Sequence, residues 1–209
     1  MHASLLSLRR CARWLPLAAA AFMPAAAQAG GMALTMQNGS QLGNAFSGGA
    51  AAEDASTVYF NPAGLTYLEE GQVIAAASYV MLDSRFTNDG STTAGVLPTS
   101  GHNGGNAGVH TLIPSAYLAY PLSKDFTIGA GVSAPYGLAT DYSAGWVGRY
   151  HALKSELVTI NASLALAWKV TPQLSIGAGL DRQSADATLS NAIDVGLIGF
   201  GMGVPGYAP

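Results

Sequence analysis

The sequence alternates between two kinds of residue over its longest regular stretch, 158–170. Every second position is apolar, in the order Val158, Ile160, Ala162, Leu164, Leu166, Trp168 and Val170. The positions between them are Thr159, Asn161, Ser163, Ala165, Ala167 and Lys169. Successive side chains of a β-strand point to opposite faces, so this stretch predicts a strand with one apolar face and one small, polar face.

Other stretches repeat this pattern, and the connections between them alternate in length. Residues 126–136 place Phe126, Ile128, Ala130, Val132, Ala134 and Tyr136 on one face. Residues 174–181 alternate in the same way, and weaker β-prone runs cover 72–82 and 115–122. The connections 83–114 and 139–156 are long, whereas 123–125 and 171–173 are short. Outer-membrane barrels have short periplasmic turns and long external loops, so the asymmetry favours a transmembrane β-barrel over a soluble β-sandwich.

The composition agrees with a membrane barrel. Only 10% of the residues are charged and 26 are glycine, whereas about a quarter of the residues of a soluble domain are charged. Beyond the N-terminal region, no stretch supplies the roughly 20 apolar residues of a membrane-spanning helix. The net charge of −3 and the lack of a basic run argue against nucleic acid as a partner.

The first residues predict a secretory signal peptide. Arg9, Arg10 and Arg13 precede an apolar run, 14–27, and an Ala-x-Ala cleavage site ends at Ala29. The apolar run is too short to span a membrane, so we expect residues 1–29 to be removed on export. The single cysteine, Cys11, lies in this leader, so the mature chain would form no disulfide.

Residues 30–71 are rich in small and polar residues and show no sustained periodicity. Such a segment buries too little to fold alone, and we expect it to plug the lumen of the barrel. Within it, Glu53–Leu65 opens on two acids, crosses a β-prone run at 57–60 and reaches Asn61-Pro62. Proline lacks an N–H and restricts the residue before it, so the chain should turn there. We expect structural or hatch-gating roles for Glu53 and Asp54 rather than acid–base catalysis.

Four motifs in this order resemble the outer-membrane long-chain fatty acid transporters and their aromatic-hydrocarbon uptake relatives. They are 44–48, 53–65, 136–140 and 175–180. The resemblance implies a fourteen-stranded antiparallel barrel with an N-terminal hatch at 30–71; the N-terminal portion of that barrel, about five strands, would occupy 72–209. It also implies passive uptake of hydrophobic compounds such as long-chain fatty acids across a Gram-negative outer membrane. No enzyme activity and no cofactor are implied.

The resemblance also implies a site. In that family the hatch motif lies against an inward kink in the third strand, which opens a hole in the wall. The motif residues would be Asn61, Pro62 and Ala63, and the kink residues Ser133, Ala134, Pro135, Tyr136 and Gly137. The residues support the kink independently, because a proline inside a strand cannot donate to its ladder and predicts a bulge or break. Unpaired backbone is tolerated at membrane depth only where it lines a cavity, so we expect a lateral opening.

Other functions fit fewer of the residues. An aromatic-hydrocarbon uptake channel is the nearest alternative. A general porin is disfavoured by the neutral, small residues on the inward faces, and a lipase built on His151 and Ser155 lacks a Gly-x-Ser-x-Gly elbow. His102, His110 and His151 show no metal-ligand spacing, so no metal is expected. Trp146 and Tyr150 are interpreted as girdle aromatics at the membrane interface, with solute contact as the alternative.

The partners expected are hydrophobic small molecules, namely fatty acids or hydrocarbons, and outer-membrane lipids, with the protein a monomer. No substrate-binding residue is assigned. Asn191 stands where our spacing puts the binding-site arginine of the best-known family member, which argues against a carboxylate-binding role there. Five strands cannot close a barrel, so we expect the chain to be a fragment or a truncated product that does not itself transport.

Overall fold

The computed structural model describes residues 32–45, 48–93 and 97–206. The chain divides into two compact units, Met1–Gly31 and Met32–Pro209, and every described residue belongs to the second. The predicted signal peptide and Cys11 therefore lie outside the described residues. In the part of the chain that is described, no helix has both the length and the apolar character needed to cross a membrane.

Antiparallel strands form the main sheet. The strands in chain order are β1 (Gln72–Met81), β2 (Thr92–Thr93), β3 (Leu97–Pro98), β4 (His110–Pro121), β5 (Phe126–Ser133), β6 (Gly137–Asp141), β7 (Lys154–Thr171) and β8 (Leu174–Ser190). β1, β4, β5 and β7 pair in that order, β6 continues β5 along the same edge of β7, and β8 pairs with the other edge. β2 and β3 form a separate ribbon inside the first long loop. The predicted strands are thus present, with the third interrupted between β5 and β6.

The two faces of the sheet have the polarity that the alternation predicts. On β7, Thr159, Asn161 and Ser163 are buried, whereas Ile160 and Leu164 are more than half exposed. The buried side is called the inner face below. An apolar outer face left in the open is what lipid contact requires of a barrel wall. At the foot of this face Phe126 and Trp168 stack with ring centroids 5.9 Å apart, as in an aromatic girdle.

Several strands run further than the apolar alternation indicates. β4 begins at His110 instead of Ser115, β8 continues to Ser190, and β6 and β7 occupy both ends of the predicted loop 139–156. The extension of β8 is mostly polar, whereas that of β4 contains Leu112 and Ile113. Neither shows the strict apolar alternation that locates the other parts of these strands in the sequence. The Gly-spaced stretch after Asn191 contains a short helix, α4 (Val195–Gly201), capped by the Asp194 side chain on the Leu197 N–H.

The N-terminal segment (residues 32–71) is helical in short pieces. They are α1 (Gly39–Gly43), α2 (Gly48–Ala51), α3 (Thr57–Phe60) and a 3₁₀ helix (Pro62–Tyr67). The expectation of a β-prone run at 57–60 is wrong, because its N–H groups bond to carbonyls three or four residues back, as in Asn61 N to Thr57 O at 2.8 Å. Pro62 then starts the 3₁₀ helix, where its missing N–H costs nothing. Burial of Val58 overrides the local β propensity.

A single apolar cluster joins the N-terminal segment to the inner face. Its members are Ala55, Val58, Leu65 and Leu68 from the segment and Tyr117, Ala119, Ala165 and Ala167 from the wall. Leu65 is completely buried, which is worth about 1.5–3 kcal/mol for a side chain of this size. The inner-face alanines leave room for this contact, so the segment packs on the wall itself.

Two glycines allow the N-terminal segment to approach the wall closely. Both occur in Ile-Gly-Ala-Gly, which follows a tight turn at the start of β5 and again at the start of β8. A Cβ on Gly129 would collide with Val58, and one on Gly177 would collide with the backbone of Pro62 and Ala63. Each copy of the repeat therefore provides one glycine at which the segment packs closely against the wall.

Gly177→Ala should push the N-terminal segment away from the wall, because the new Cβ would collide with backbone atoms of Pro62 and Ala63, which cannot move without shifting the segment. We expect faster proteolytic cleavage within residues 32–71 in outer-membrane preparations. Gly179→Ala is the matched control, since its Cβ would meet Leu164 O at 3.5 Å and Pro62 Cγ at 3.8 Å, which are ordinary contacts. Equal protease resistance of both variants and the unchanged protein would contradict this packing.

Candidate functional site

The third strand of the wall carries one residue too many between β5 and β6. Ser133 pairs with Asn161, and Gly137 pairs with Val158. Ser133 and Gly137 are four positions apart, whereas their partners on β7 are three apart. This two-against-one count is that of a β-bulge, and it lies around the buried Pro135.

The extra residue changes the face on which Tyr136 lies. The alternation groups Tyr136 with Phe126 and Ile128 on the outer face, but the register beyond the bulge sets it opposite Thr159, on the inner face. The Tyr136 N–H donates to Thr159 Oγ1 at 2.9 Å, and Thr159 Oγ1 donates to Tyr136 O at 2.6 Å. A slip of one residue moves every later side chain to the other face, which is why the simple alternation is wrong here.

The wall is open on the β4 side of this bulge. β4 pairs with β5 only as far as Ala116 opposite Val132, although its upper half, 110–115, stays paired with β1. Within the described residues, β6 forms a ladder with β7 and meets the other side only near its outer end. There Gly108 bridges Thr140, and Asp141 N donates to Ala107 O at 2.8 Å.

Residues 33–37 of the N-terminal segment form hydrogen bonds with the backbone groups that this gap leaves without a neighbouring strand. Leu34 N donates to Pro135 O at 2.8 Å. The Gln37 side chain donates from Nε2 to Ala134 O at 2.7 Å and accepts at Oε1 from Ala134 N at 3.3 Å. A buried backbone N–H and C=O both require partners, and the Gln37 amide supplies them as a neighbouring strand would.

The main chain at Gln37 is held from β4. Ser115 Oγ and Tyr117 OH both donate to Gln37 O, and Ser78 Oγ on β1 donates to Met36 O at 3.1 Å. Gln37 is only 1% exposed. Sequence reasoning missed Leu34 and Gln37, since an isolated glutamine in a segment of small residues carries no periodic signal.

The predicted hatch motif contacts a different part of the wall. Pro62 and Ala63 lie against Gly177 on β8, and Thr66 Oγ1 is 2.7 Å from Ser175 Oγ on the same strand. The recorded contacts of the kink residues Ala134 and Pro135 are instead with Leu34 and Gln37.

Tyr59 links the motif region to the kink. Burial raises the pKa of Tyr59, and the neighbouring Tyr136 and Asp181 raise it further. The phenol is therefore near both the residue that follows the bulge and a carboxylate on β8. It stays neutral at physiological pH, so it offers a polar hydroxyl without charge.

Asp54 ties the two ends of the N-terminal segment together. Its carboxylate accepts from Ser40 Oγ at 2.6 Å, from Ser56 N at 2.9 Å, from the Ser56 hydroxyl and from Asn38 Nδ2 at 3.1 Å. Partial burial by itself would raise the pKa of Asp54, but these hydrogen bonds outweigh it and the pKa lies below its ordinary value. These bonds join residues near position 40 to residues near position 55 of the segment.

A cavity of about 600 Å³ lies among the external loops. Phe86, Trp146, Val147 and Leu197 supply apolar lining, and Tyr150 contributes a ring. The girdle interpretation of Trp146 is wrong, because this side chain is 8% exposed and stacks on Tyr142 with centroids 3.7 Å apart. In the described ranges, no group of three or more His, Cys, Asp or Glu side chains is arranged to hold a metal ion.

Comparison with known proteins decides the family. The profile of the family described as "Outer membrane protein transport protein (OMPP1/FadL/TodX)" matches residues 20–207. The chain belongs to this family. It is a family of outer-membrane transport proteins and not of enzymes, and this member is accordingly an outer-membrane protein.

Relatives of this FadL-family chain are considerably longer. A long-chain fatty acid transport protein of Escherichia coli O6:H1 is 30% identical over 172 residues, which are 82% of this chain and 37% of that protein. Outer membrane protein P1 of Haemophilus influenzae is 32% identical over 160 residues, 71% of this chain and 34% of that protein. The chain thus spans roughly a third of the length of these relatives.

A solved structure establishes the fold. The crystal structure of a Pseudomonas aeruginosa FadL homologue matches with a TM-score of 0.71 at 24% identity, covering 85% of this chain and 43% of that one. The fold is a transmembrane antiparallel β-barrel, of which this chain carries the part from β1 to β8.

Acid should loosen the N-terminal segment through Asp54. Its pKa is lower in the folded protein than its ordinary value of 3.8, so the ionised form stabilises the segment above that value. The contribution is lost as the pH falls through the lowered pKa. We expect cleavage by pepsin within residues 32–71 to rise steeply below about pH 4.

In Asp54→Asn, limited proteolysis should cleave residues 32–71 faster at neutral pH than in the unchanged protein. The cleavage rate should also depend less on pH, because the ionisable carboxyl is gone. Glu53→Gln is the control, because Glu53 is exposed and accepts from Asn44 Nδ2 at a long distance of 3.5 Å. A steep acid transition that survives in Asp54→Asn would assign the effect to another group.

Proposed function

We propose that this chain is the N-terminal part of an outer-membrane channel for passive uptake of hydrophobic compounds such as long-chain fatty acids. Residues 30–71 act as its hatch, preceded by a cleaved leader, 1–29. The site consists of the hatch motif Asn61–Ala63 and the lateral opening at Ser133–Gly137, to which Gln37 is now added. The complete protein would work as a monomer without cofactor or covalent chemistry.

The interruption of the wall carries this proposal. At Ala134 and Pro135 the backbone groups are paired with a removable segment and not with the next strand. Unpaired backbone facing lipid costs several kcal/mol per group, so such a break persists only where it lines a cavity or a passage. Release of residues 33–37 would expose a gap that leads from the lumen to the bilayer.

A lateral exit suits a hydrophobic solute. Moving sideways into lipid keeps its apolar surface out of water, at a gain of about 25 cal/mol for each Å². The proposed route begins in the cavity of the external loops, passes the hatch and ends at the opening. Outer-membrane lipids then receive the solute, and no energy source is needed because partitioning drives the movement.

The inner face supports a channel of this kind over a polar porin. Its buried side chains on β5 and β7, among them Thr127, Ser133, Thr159 and Asn161, are small and uncharged. An ion-selective pore needs rings of charged side chains, whereas the inner faces of β5 and β7 carry one charged residue, Lys169, beside the tight turn. Aromatic-hydrocarbon uptake remains compatible with the same geometry, and only the solute distinguishes it from fatty acid uptake.

Pro135→Ala tests the opening. Restoring the N–H allows the strand to pair more regularly, so we expect a several-fold fall in the initial rate of oleate or toluene uptake. The variant is introduced into the full-length protein of the source locus, expressed in an outer membrane that lacks other members of the family. Uptake is measured with radiolabelled solute and corrected for the amount of protein in the membrane.

Pro172→Ala is the control for this experiment. Pro172 lies in the tight turn between β7 and β8, away from the kink, so uptake should be unchanged. Unchanged uptake in Pro135→Ala would overturn the lateral route, and absence of uptake by the unaltered protein would overturn the proposed function.

Gln37→Leu tests the hatch contact at the opening. Leucine keeps the approximate volume but leaves Ala134 N and O without partners, so residues 33–37 should detach more often. We expect increased sensitivity of cells to a large hydrophobic antibiotic. Gln41→Leu is the matched control, since Gln41 is equally buried while its Oε1 has no partner to lose. Equal sensitivity of the two variants would argue against a role of Gln37 in closing the wall.

A further inference from the structure

We infer that the described portion of the lumen favours uncharged hydrophobic solutes over fatty-acid anions, and that Asp181 determines this specificity. The inference rests on the proposed function and concerns the solute that the same passage accepts. It is carried by the placement of charge along the route, since a cavity of about 600 Å³ accommodates either kind of solute.

Asp181 faces the lumen from β8. It pairs opposite Ser163, which is buried on the inner face, while the next residue, Arg182, pairs opposite Ala162 on the outer face. Asn161 Nδ2 donates to Asp181 Oδ1 at 2.9 Å, and Ser163 Oγ donates to the same oxygen. These bonds hold the carboxylate on the lumen side of the wall, and neither donor carries a charge.

The carboxylate lies beside the proposed exit. Asn161, which donates to Asp181 Oδ1, pairs opposite Ser133, the first residue of the opening. The carboxylate is therefore at the level of the opening and two strands away from it, which corresponds to about 10 Å. A solute that passes the hatch toward the gap therefore moves through the field of this carboxylate.

No cation among the described residues lies close to Asp181 on the inner face. Arg85, Lys124 and Lys154 are each paired with an acid in the loops, the tight turn or the outer end of β7. Arg149 is in an external loop, where it donates to Ser100 O, Trp146 O and Tyr150 OH. Arg182 is on the outer face, and the inner-face Lys169 is six residues from Ser163 along β7, which corresponds to about 20 Å.

The physical consequence is discrimination by charge. Two unit charges of the same sign about 12 Å apart, at an effective dielectric constant of about 20, disfavour the close position by about tenfold. A fatty-acid anion experiences this repulsion and also loses its hydration in the passage, whereas an alcohol or a hydrocarbon experiences no net charge interaction.

The test compares two solutes of the same chain length, oleate and oleyl alcohol, in the full-length protein at neutral pH. The unaltered protein should take up the alcohol faster at equal free concentration. Asp181→Asn should raise oleate uptake about fivefold to tenfold and leave alcohol uptake within about twofold. Asparagine retains an Oδ1 acceptor for Asn161 and Ser163, so the wall should keep its geometry, and Asp181→Ser is a second neutral variant.

Asp186→Asn is the matched control, because Asp186 is on the same strand but pairs opposite Val158 on the outer face. It should change the uptake of neither solute. Oleate uptake that stays the same in both neutral Asp181 variants, or alcohol uptake that rises in parallel, would overturn the inference while leaving the proposed function intact. If neither solute enters faster than in cells without the protein, the proposed function fails and the inference with it.

Discussion

The pairing of backbone groups inside a bilayer is the constraint on which the other features of this structure depend. A barrel wall satisfies it with ladders, and among the described residues the main sheet has them from β1 to β8 except beside Ala134–Tyr136 and β6, where β4 forms no ladder on that side beyond Ala116. The groups released at that point are not left to lipid, because Leu34, Gln37 and Thr159 take them up. Residues 33–37 of the N-terminal segment therefore take the place of a neighbouring strand at this break in the wall.

The small residues of the inner face follow from the same arrangement. A segment that must complete the wall has to lie directly on it, and large inward side chains would hold it away. Small residues on the inner face let the segment approach closely, and Leu65 is fully buried as a result. These residues are Gly129, Gly177, Ala165 and Ala167. The alternation of side chains along the strands therefore has two causes. Large apolar residues on the outer face suit contact with lipid, and small residues on the inner face leave room for the N-terminal segment.

The sequence predicts the wall well because lipid contact imposes a period of two, and β7 shows the predicted face at every position from 158 to 168. Pro135 likewise predicts a break in its strand, because a proline has no N–H to donate to a neighbouring strand. The helical turn at 57–60 was not predictable, because burial of Val58 against Gly129 decides it. The contact of Gln37 with Ala134 could not be predicted either, because the two residues are about 100 positions apart. The same holds for the burial of Trp146, which lies against Gly104 about 40 positions away.

Register connects the opening of the wall to the charge of the lumen. Between β7 and β8 the pairing is unbroken from Lys154 to Lys169, which keeps Asp181 inside and Arg182 outside. A slip of one residue there would exchange an acid for a base along the route. Between β5 and β6 such a slip does occur, and it turns Tyr136 inward toward the hatch. The same β7 strand thus fixes one neighbour in register and accepts a bulge from the other. Its two edges are thus paired independently, and the register that places Asp181 does not depend on the bulge that contains Pro135.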